Sequence, residues 1–151
     1  MRTWTLVTEA LGPGGRRHAS SLAARGKDLV LLGPPGALLE ELAAELRVVH
    51  DVDVRVIGVD LAEPGAAERV VAWIEGRDVT LGGMVSVEPD PRDGAVRQLG
   101  VKAELARLED RLRASIRHRG LGAIRRVAAH EPGVRRARRS VVPPGAAPSD
   151  P

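Results

Sequence analysis

The sequence predicts an α/β protein in three layers, with helices on both faces of a parallel sheet of about five strands. Residues 28–32 (DLVLL) form an unbroken apolar run, the mark of a strand covered on both faces. Short apolar or β-branched segments alternate with helix-length segments, and that alternation builds a parallel sheet through crossover connections. Glycine and proline punctuate the joints between them.

Each element follows in order. Residues 3–8 (TWTLVT) are strand-like and stop at Gly12-Pro13-Gly14-Gly15. Residues 16–25 turn helical, with Ala19, Leu22 and Ala23 on one face and Gly26 as the stop. After the strand at 28–32, Pro34-Pro35 breaks the chain and Pro35 can open a helix. That helix places Leu38, Leu39, Leu42, Ala43 and Leu46 at three- and four-residue spacing, with Glu40, Glu41 and Glu45 outward. Residues 53–59 (DVRVIGV) alternate as a strand, and residues 63–75 read as a helix through Ala67, Val70, Val71 and Ile74. Residues 79–87 are a strand that Gly82 and Gly83 weaken. Residues 95–119 form the longest helix, with Leu99, Ala103, Ala106, Leu112 and Ile116 expected near one side. Residues 121–129 give a fifth strand, at the sheet edge or poorly formed, because Arg125-Arg126 suit no strand buried on both faces. Residues 131–151, rich in Pro, Gly, Ala and Arg, read as a disordered tail after a domain at 1–130.

Composition narrows the function. The chain has 151 residues, 28% charged and 43% hydrophobic, with a formal charge of +3. No cysteine excludes disulfides and thiolate chemistry, and no tyrosine excludes a phenolic acid/base within these residues. No apolar run approaches membrane-spanning length, and no signal-peptide core precedes the first strand, so a cytoplasmic location is expected. His18, His50, His118 and His130 lack metal-type spacing, so no metal site is expected. No Gly-x-Ser-x-Gly and no P-loop motif occurs. Asp90, Asp93, Glu104, Glu109 and Asp110 read as a solubilising acidic surface. Arg125, Arg126, Arg135, Arg136, Arg138 and Arg139 form a basic patch that suits nonspecific binding of nucleic acid or another anion. No interleaved aromatics supply base stacking, so nucleic acid is not the favoured partner.

The strand, Gly-rich turn and helix, followed by a second βα unit, resemble the dinucleotide-binding half of a Rossmann fold. The closer resemblance is to the short-chain dehydrogenase/reductase family. It runs through TLVTEALGPGGRRHASSLAARGKDLVLL at 5–32, LLEELAAEL at 38–46, VRVIGVDLAEPGAAERVVAWIE at 54–75 and the stretch at 100–129. It implies an NAD(P)-binding domain truncated before the family's last strands. In the family, the first turn reads Thr-Gly-x-x-x-Gly-x-Gly, and its glycines let the backbone approach a pyrophosphate.

Without a gap, Thr8 is kept, Glu9 and Pro13 stand for the first two glycines, and Gly15 matches the third. A frame shifted by one residue matches Gly12 and Gly14 to the last two glycines instead. Pro13 removes an N–H donor, and Glu9 at about 4 Å from a phosphate would repel it by roughly 4 kcal/mol at a surface-type dielectric. Gly12, Gly14, Gly15, Thr8 and Arg16, with Arg17 beside it, are the candidates for holding phosphate. The rival is a turn that simply needs positive φ. Asp60-Leu61 match the family's adenine-contacting acid and its apolar neighbour, although an Asp there can also cap the following helix. Gly33, Pro34 and Pro35 occupy the ribose-recognition region and supply neither acid nor arginine. The family's Asn-Asn-Ala-Gly is replaced at about Met84-Val85-Ser86-Val87.

The resemblance places the family's catalytic serine at about Ala129, tyrosine near Val142, lysine near Ala146 and helical asparagine near Gly100. None of these groups is present there, so no catalytic residue is assigned, and NAD(P) binding is expected to be weak or lost. The family's helix equivalent to 95–119 builds a dimer interface, which implies a homo- or hetero-oligomer. The leading expectation is therefore a non-catalytic binding or assembly subunit. The alternatives are a residual NAD(P)-dependent oxidoreductase using Asp60 and the 12–15 turn, a basic-tail nucleic-acid or anion binder, and a decaying gene product.

Overall fold

The computed structural model describes residues 2–119 and 124–130. Strands β1 (Trp4–Val7), β2 (Asp28–Gly33), β3 (Val54–Gly58), β4 (Leu81–Val87) and β5 (Ile124–Val127) alternate with helices α1 (Pro13–Ala24), α2 (Ala37–His50), α3 (Ala66–Gly76) and α4 (Ala95–Arg119). All strand pairs are parallel, in the order β3-β2-β1-β4-β5. The expected Rossmann-like fold is thus present.

Alternation along the strands divides two cores. Leu6, Val30, Leu32 and Ile57 face α3 and α4, and join Val70, Ile74, Leu105 and Leu108. Val7, Leu29, Leu31 and Val85 face the other way and pack with α1 and α2 through Ala19, Leu22, Leu42 and Leu46. Fully burying each such leucine contributes about 1.5–3 kcal/mol, and the two cores together hold the sheet as the middle layer. At the β3 edge, Arg47 turns back from α2 and donates from Nε and Nη2 to the Val54 carbonyl, at 3.0 and 2.5 Å. That contact covers a backbone acceptor that an open edge would leave free.

Several expectations need correction. Helix α1 starts at Pro13, three residues early, because proline suits the first helical position. Leu38 is 65% exposed rather than part of the α2 stripe, since the helix begins only at Ala37 and Leu39 takes the inward place. Gly82 and Gly83 stay within β4 but mark an irregularity in it: the β1 register jumps from Trp4↔Leu81 to Thr5↔Gly83, the pairing with β5 begins only at Met84, and a Cβ at Gly82 would fall 2.8 Å from Thr3 Oγ1. The stripe drawn on α4 mixed two faces. Val101, Leu105, Leu108, Leu112 and Ile116 are buried, whereas Leu99, Ala103 and Ala106 face solvent.

Glu104 and Glu109 are not acidic surface. Both are buried, at 5% and 2% exposure. Strand β5 lies at the edge among the described residues, with Arg125 and Arg126 exposed, as an edge strand permits. The tail at 131–151, with Arg135, Arg136, Arg138 and Arg139, lies outside the described residues, as does His118's side chain.

Candidate dinucleotide site

In an open parallel sheet, ligands bind beyond the carboxyl ends of the strands, where the strand order reverses. Here the reversal lies between β1 and β4. The segments that meet there are residues 8–15 after β1, Asp60 after β3, Glu88 to Asp90 after β4 and Ala128 to His130 after β5. All the expected cofactor residues fall on this edge or just behind it.

Thr8 is fully buried; its backbone N–H donates to the Val85 carbonyl, and its hydroxyl accepts the Val87 N–H at 2.8 Å. It ties the ends of β1 and β4 together. Leu61, 1% exposed, sits in the α3–α4 core. Glu9 holds φ +48, the left-handed region that glycine visits freely and other residues enter at a cost. Its carbonyl accepts the Gly12 N–H at 3.0 Å. A Cβ at Gly15 would lie 2.0 Å from that same carbonyl oxygen, so only glycine fits.

Gly12 precedes α1 with no side-chain cap. Gly14 donates its N–H to the Ala129 carbonyl at 2.9 Å, and Arg16 donates to Gly12. The backbone donors that a helix start offers to an anion are thus largely turned to the chain's own carbonyls. Arg16 and Arg17 line a groove of about 750 Å³ with Ser20, Ser21 and His50, along the outer side of α1.

Asp60 does not cap α3, whose N-cap is Gly65. Its Oδ1 accepts the Ala62 N–H at 2.9 Å, and its Oδ2 accepts Arg97 Nη1 at 3.0 Å. Burial tends to raise the Asp60 carboxyl, but Arg97 and the Ala62 amide outweigh it and hold it below the usual carboxylate range. Glu9 shifts the opposite way. Burial raises it, the Asp60 and Asp93 charges add to the rise, and Arg97 offsets only part. Arg97 Nε also reaches Asp93 at 3.5 Å. Three carboxylates thus surround one guanidinium where the adenine end of a dinucleotide is expected.

Met84 to Val87, at the place of the family's Asn-Asn-Ala-Gly, form the last four residues of β4, and Glu88-Pro89-Asp90 follow the strand. Gly100 sits on α4 against Ala62, where a Cβ would come within 2.9 Å of the carbonyl oxygen. The sites expected near Val142 and Ala146 lie outside the described residues. Among the described residues there is no cluster of three or more potential metal ligands, and no helix long and apolar enough to cross a membrane.

No protein-family model matches the chain. It is 36% identical over 76 residues to the 7beta-hydroxysteroid dehydrogenase of Collinsella aerofaciens, a stretch covering 50% of this chain and 29% of that protein. A solved 7beta-hydroxysteroid dehydrogenase superposes with a TM-score of 0.71 at 25% identity, over 82% of this chain and 52% of the other. The short-chain dehydrogenase from Sphingobium yanoikuyae, in complex with NADPH, superposes at 0.62 with 26% identity over 82% and 52%.

The chain is similar to short-chain dehydrogenase/reductase family members in fold over most of its described length and in sequence over about half. It spans about half the length of the solved family members it matches. That solved Sphingobium yanoikuyae relative holds NADPH; in the turn built here, Pro13 has no N–H, the Gly14 amide donates to Ala129, and Glu9 carries a carboxylate.

Buried Glu104 and Glu109 were missed by sequence reasoning. Glu104 reaches from α4 to accept the Ala67 N–H at 2.9 Å and the Gly65 N–H at 3.2 Å, capping α3 from outside it. Gly65 at the α3 start, with no capping side chain of its own, was the available signal that the cap comes from elsewhere.

Proposed function

We propose that this chain acts as a non-catalytic assembly subunit of the short-chain dehydrogenase/reductase family, pairing through α4 with a second copy or with a relative. The observation that carries the reading is the outer face of α4. Val96 and Leu99 are 85% and 68% exposed. Ala103 and Ala106 continue the same face at three- and four-residue spacing and are also exposed. A strip that starts large and ends small admits close approach of a partner helix. Exposed apolar surface gathered along one helix face marks an interaction site more often than scattered single residues do.

The non-catalytic part is supported by the absence of tyrosine from these 151 residues, by Ala129 at the serine's place and by the glutamate in the turn. A positioned general acid is worth about 10²–10⁴-fold in rate, and among the described residues none near the turn supplies one in the family's manner. NAD(P) binding is weak or lost on the same reading, and a cytoplasmic location accompanies it.

A second reading, a residual NAD(P)-dependent oxidoreductase, is favoured by Asp60 standing at the expected place after β3. The basic-patch reading loses one member, since Arg126 is spent on Glu109. Following NADPH absorbance with a panel of ketones tests the choice. The assembly reading expects no consumption above the uncatalysed rate, whereas steady turnover that scales with protein concentration would establish the oxidoreductase.

A further inference from the structure

We infer that the chain closes its own dinucleotide turn, with Ala128 and Ala129 folded over the start of α1 and Gly14 as the residue that permits it. This rests on the reading that NAD(P) binding is weak or lost, and supplies its cause. The Gly14 N–H points at the Ala129 carbonyl, 2.9 Å away. A Cβ at Gly14 would stand 2.5 Å from the Ala128 carbonyl oxygen and 2.8 Å from that of Ala129. Both obstacles are backbone, so no rotamer change relieves them. In the ungapped frame, Gly14 occupies the variable position of the family's last Gly-x-Gly, where the pattern itself asks for no glycine. The closing segment asks for it instead.

The segment is pinned on both sides. The Glu88 N–H donates to the Val127 carbonyl at 2.9 Å, Arg126 is held by Glu109, and His130 Nε2 lies 3.4 Å from Asp90 Oδ1. Beneath it, Arg97 binds Asp60 and Asp93 and faces Glu9, so the acids at this end meet a guanidinium of the same chain. A dinucleotide arriving here must displace a backbone carbonyl and face the carboxylate of Glu9.

The experiment compares Glu9→Gly with the double variant Glu9→Gly/Gly14→Ala, titrating NADPH by calorimetry into the full chain. Removing the Glu9 charge from both proteins isolates the closing segment. Closure predicts that adding Gly14→Ala tightens NADPH binding at least tenfold. Equal affinities for the two, or micromolar binding by the unaltered chain, overturn it. Should the double variant fail to fold by circular dichroism, amide exchange in the unaltered chain decides. Closure requires the Gly14 N–H to be strongly protected, and exchange at the rate of an open amide overturns it. A light-scattering mass reads the assembly separately. A dimer with an open turn sinks this inference alone, and a monomer with a closed turn sinks only the assembly reading.

Discussion

Arg126 donates from Nε and Nη2 to the two carboxylate oxygens of Glu109, at 3.1 and 2.6 Å, and so joins edge strand β5 to helix α4. The pair is lopsided. The Glu109 side chain is 3% exposed and that of Arg126 56%. Burial raises the Glu109 carboxyl, yet Arg126, helped by Ser86 and then Arg113, outweighs burial and holds it below the usual range. Arg126→Ala therefore leaves a buried carboxylate without its main partner. We expect a loss of about 2–3 kcal/mol in urea unfolding at pH 7, somewhat under the cost of breaking a fully buried pair because the arginine head is half in water. The pH response should also reverse. Lowering the pH from 7 to 5 should recover part of the loss in Arg126→Ala, since the orphaned Glu109 prefers its proton.

Glu104 sets a second expectation. Its carboxylate satisfies two amides at the start of α3 and pairs with Arg107 at 2.7 Å. Glu104→Ala should cost about 1–3 kcal/mol, the penalty of unsatisfied donors at an uncapped helix start. Glu104→Gln, which keeps an acceptor, should cost less. Burial raises Glu104, but the two amides and Arg107 win and lower it. A carboxyl lowered in the folded state stabilises above its unfolded value, about 4.3, and that contribution disappears as pH falls through the folded value. Acid titration of the unaltered chain, followed by circular dichroism, should show stability falling below about pH 4.5, and Glu104→Gln should flatten part of that fall.

Glu9 behaves oppositely. Its folded carboxyl is raised, so its contribution is most favourable at low pH and is lost as pH rises through the folded value. It also pays for positive φ. Glu9→Gly should stabilise the chain at pH 7 by about 1–2 kcal/mol, from relieved backbone strain and removal of a half-buried charge. The gain should shrink toward pH 4. Thermal unfolding at the two pH values checks both parts.

The sheet was legible because its signals are local: DLVLL announces a doubly covered strand, and Gly-Pro-Gly-Gly announces the turn. The position of Glu9, Asp60 and Gly15 at the strand ends followed from the same reading. What escaped was set by distant partners. Nothing near Glu104 in sequence says that the amides of Gly65 and Ala67 await it, and nothing near Glu109 points to Arg126. The sidedness of α4 escaped for another reason. The helix carries two apolar stripes at helical spacing, one from Val101 to Ile116 and one from Val96 to Ala106, and periodicity alone does not say which faces the sheet. Closure over Gly14 depends on where the chain goes after β5, which no local pattern encodes.

The central claim is that the outer stripe of α4 is an interface. Light scattering on the eluting peak at about 100 μM, for the unaltered chain and for Leu99→Asp, tests it most directly. The account predicts a dimer or larger assembly for the first and a folded monomer for the second, because a desolvated aspartate at a helix contact costs several kcal/mol. A monomeric mass for the unaltered chain, alone and after mixing with a full-length relative, would contradict it.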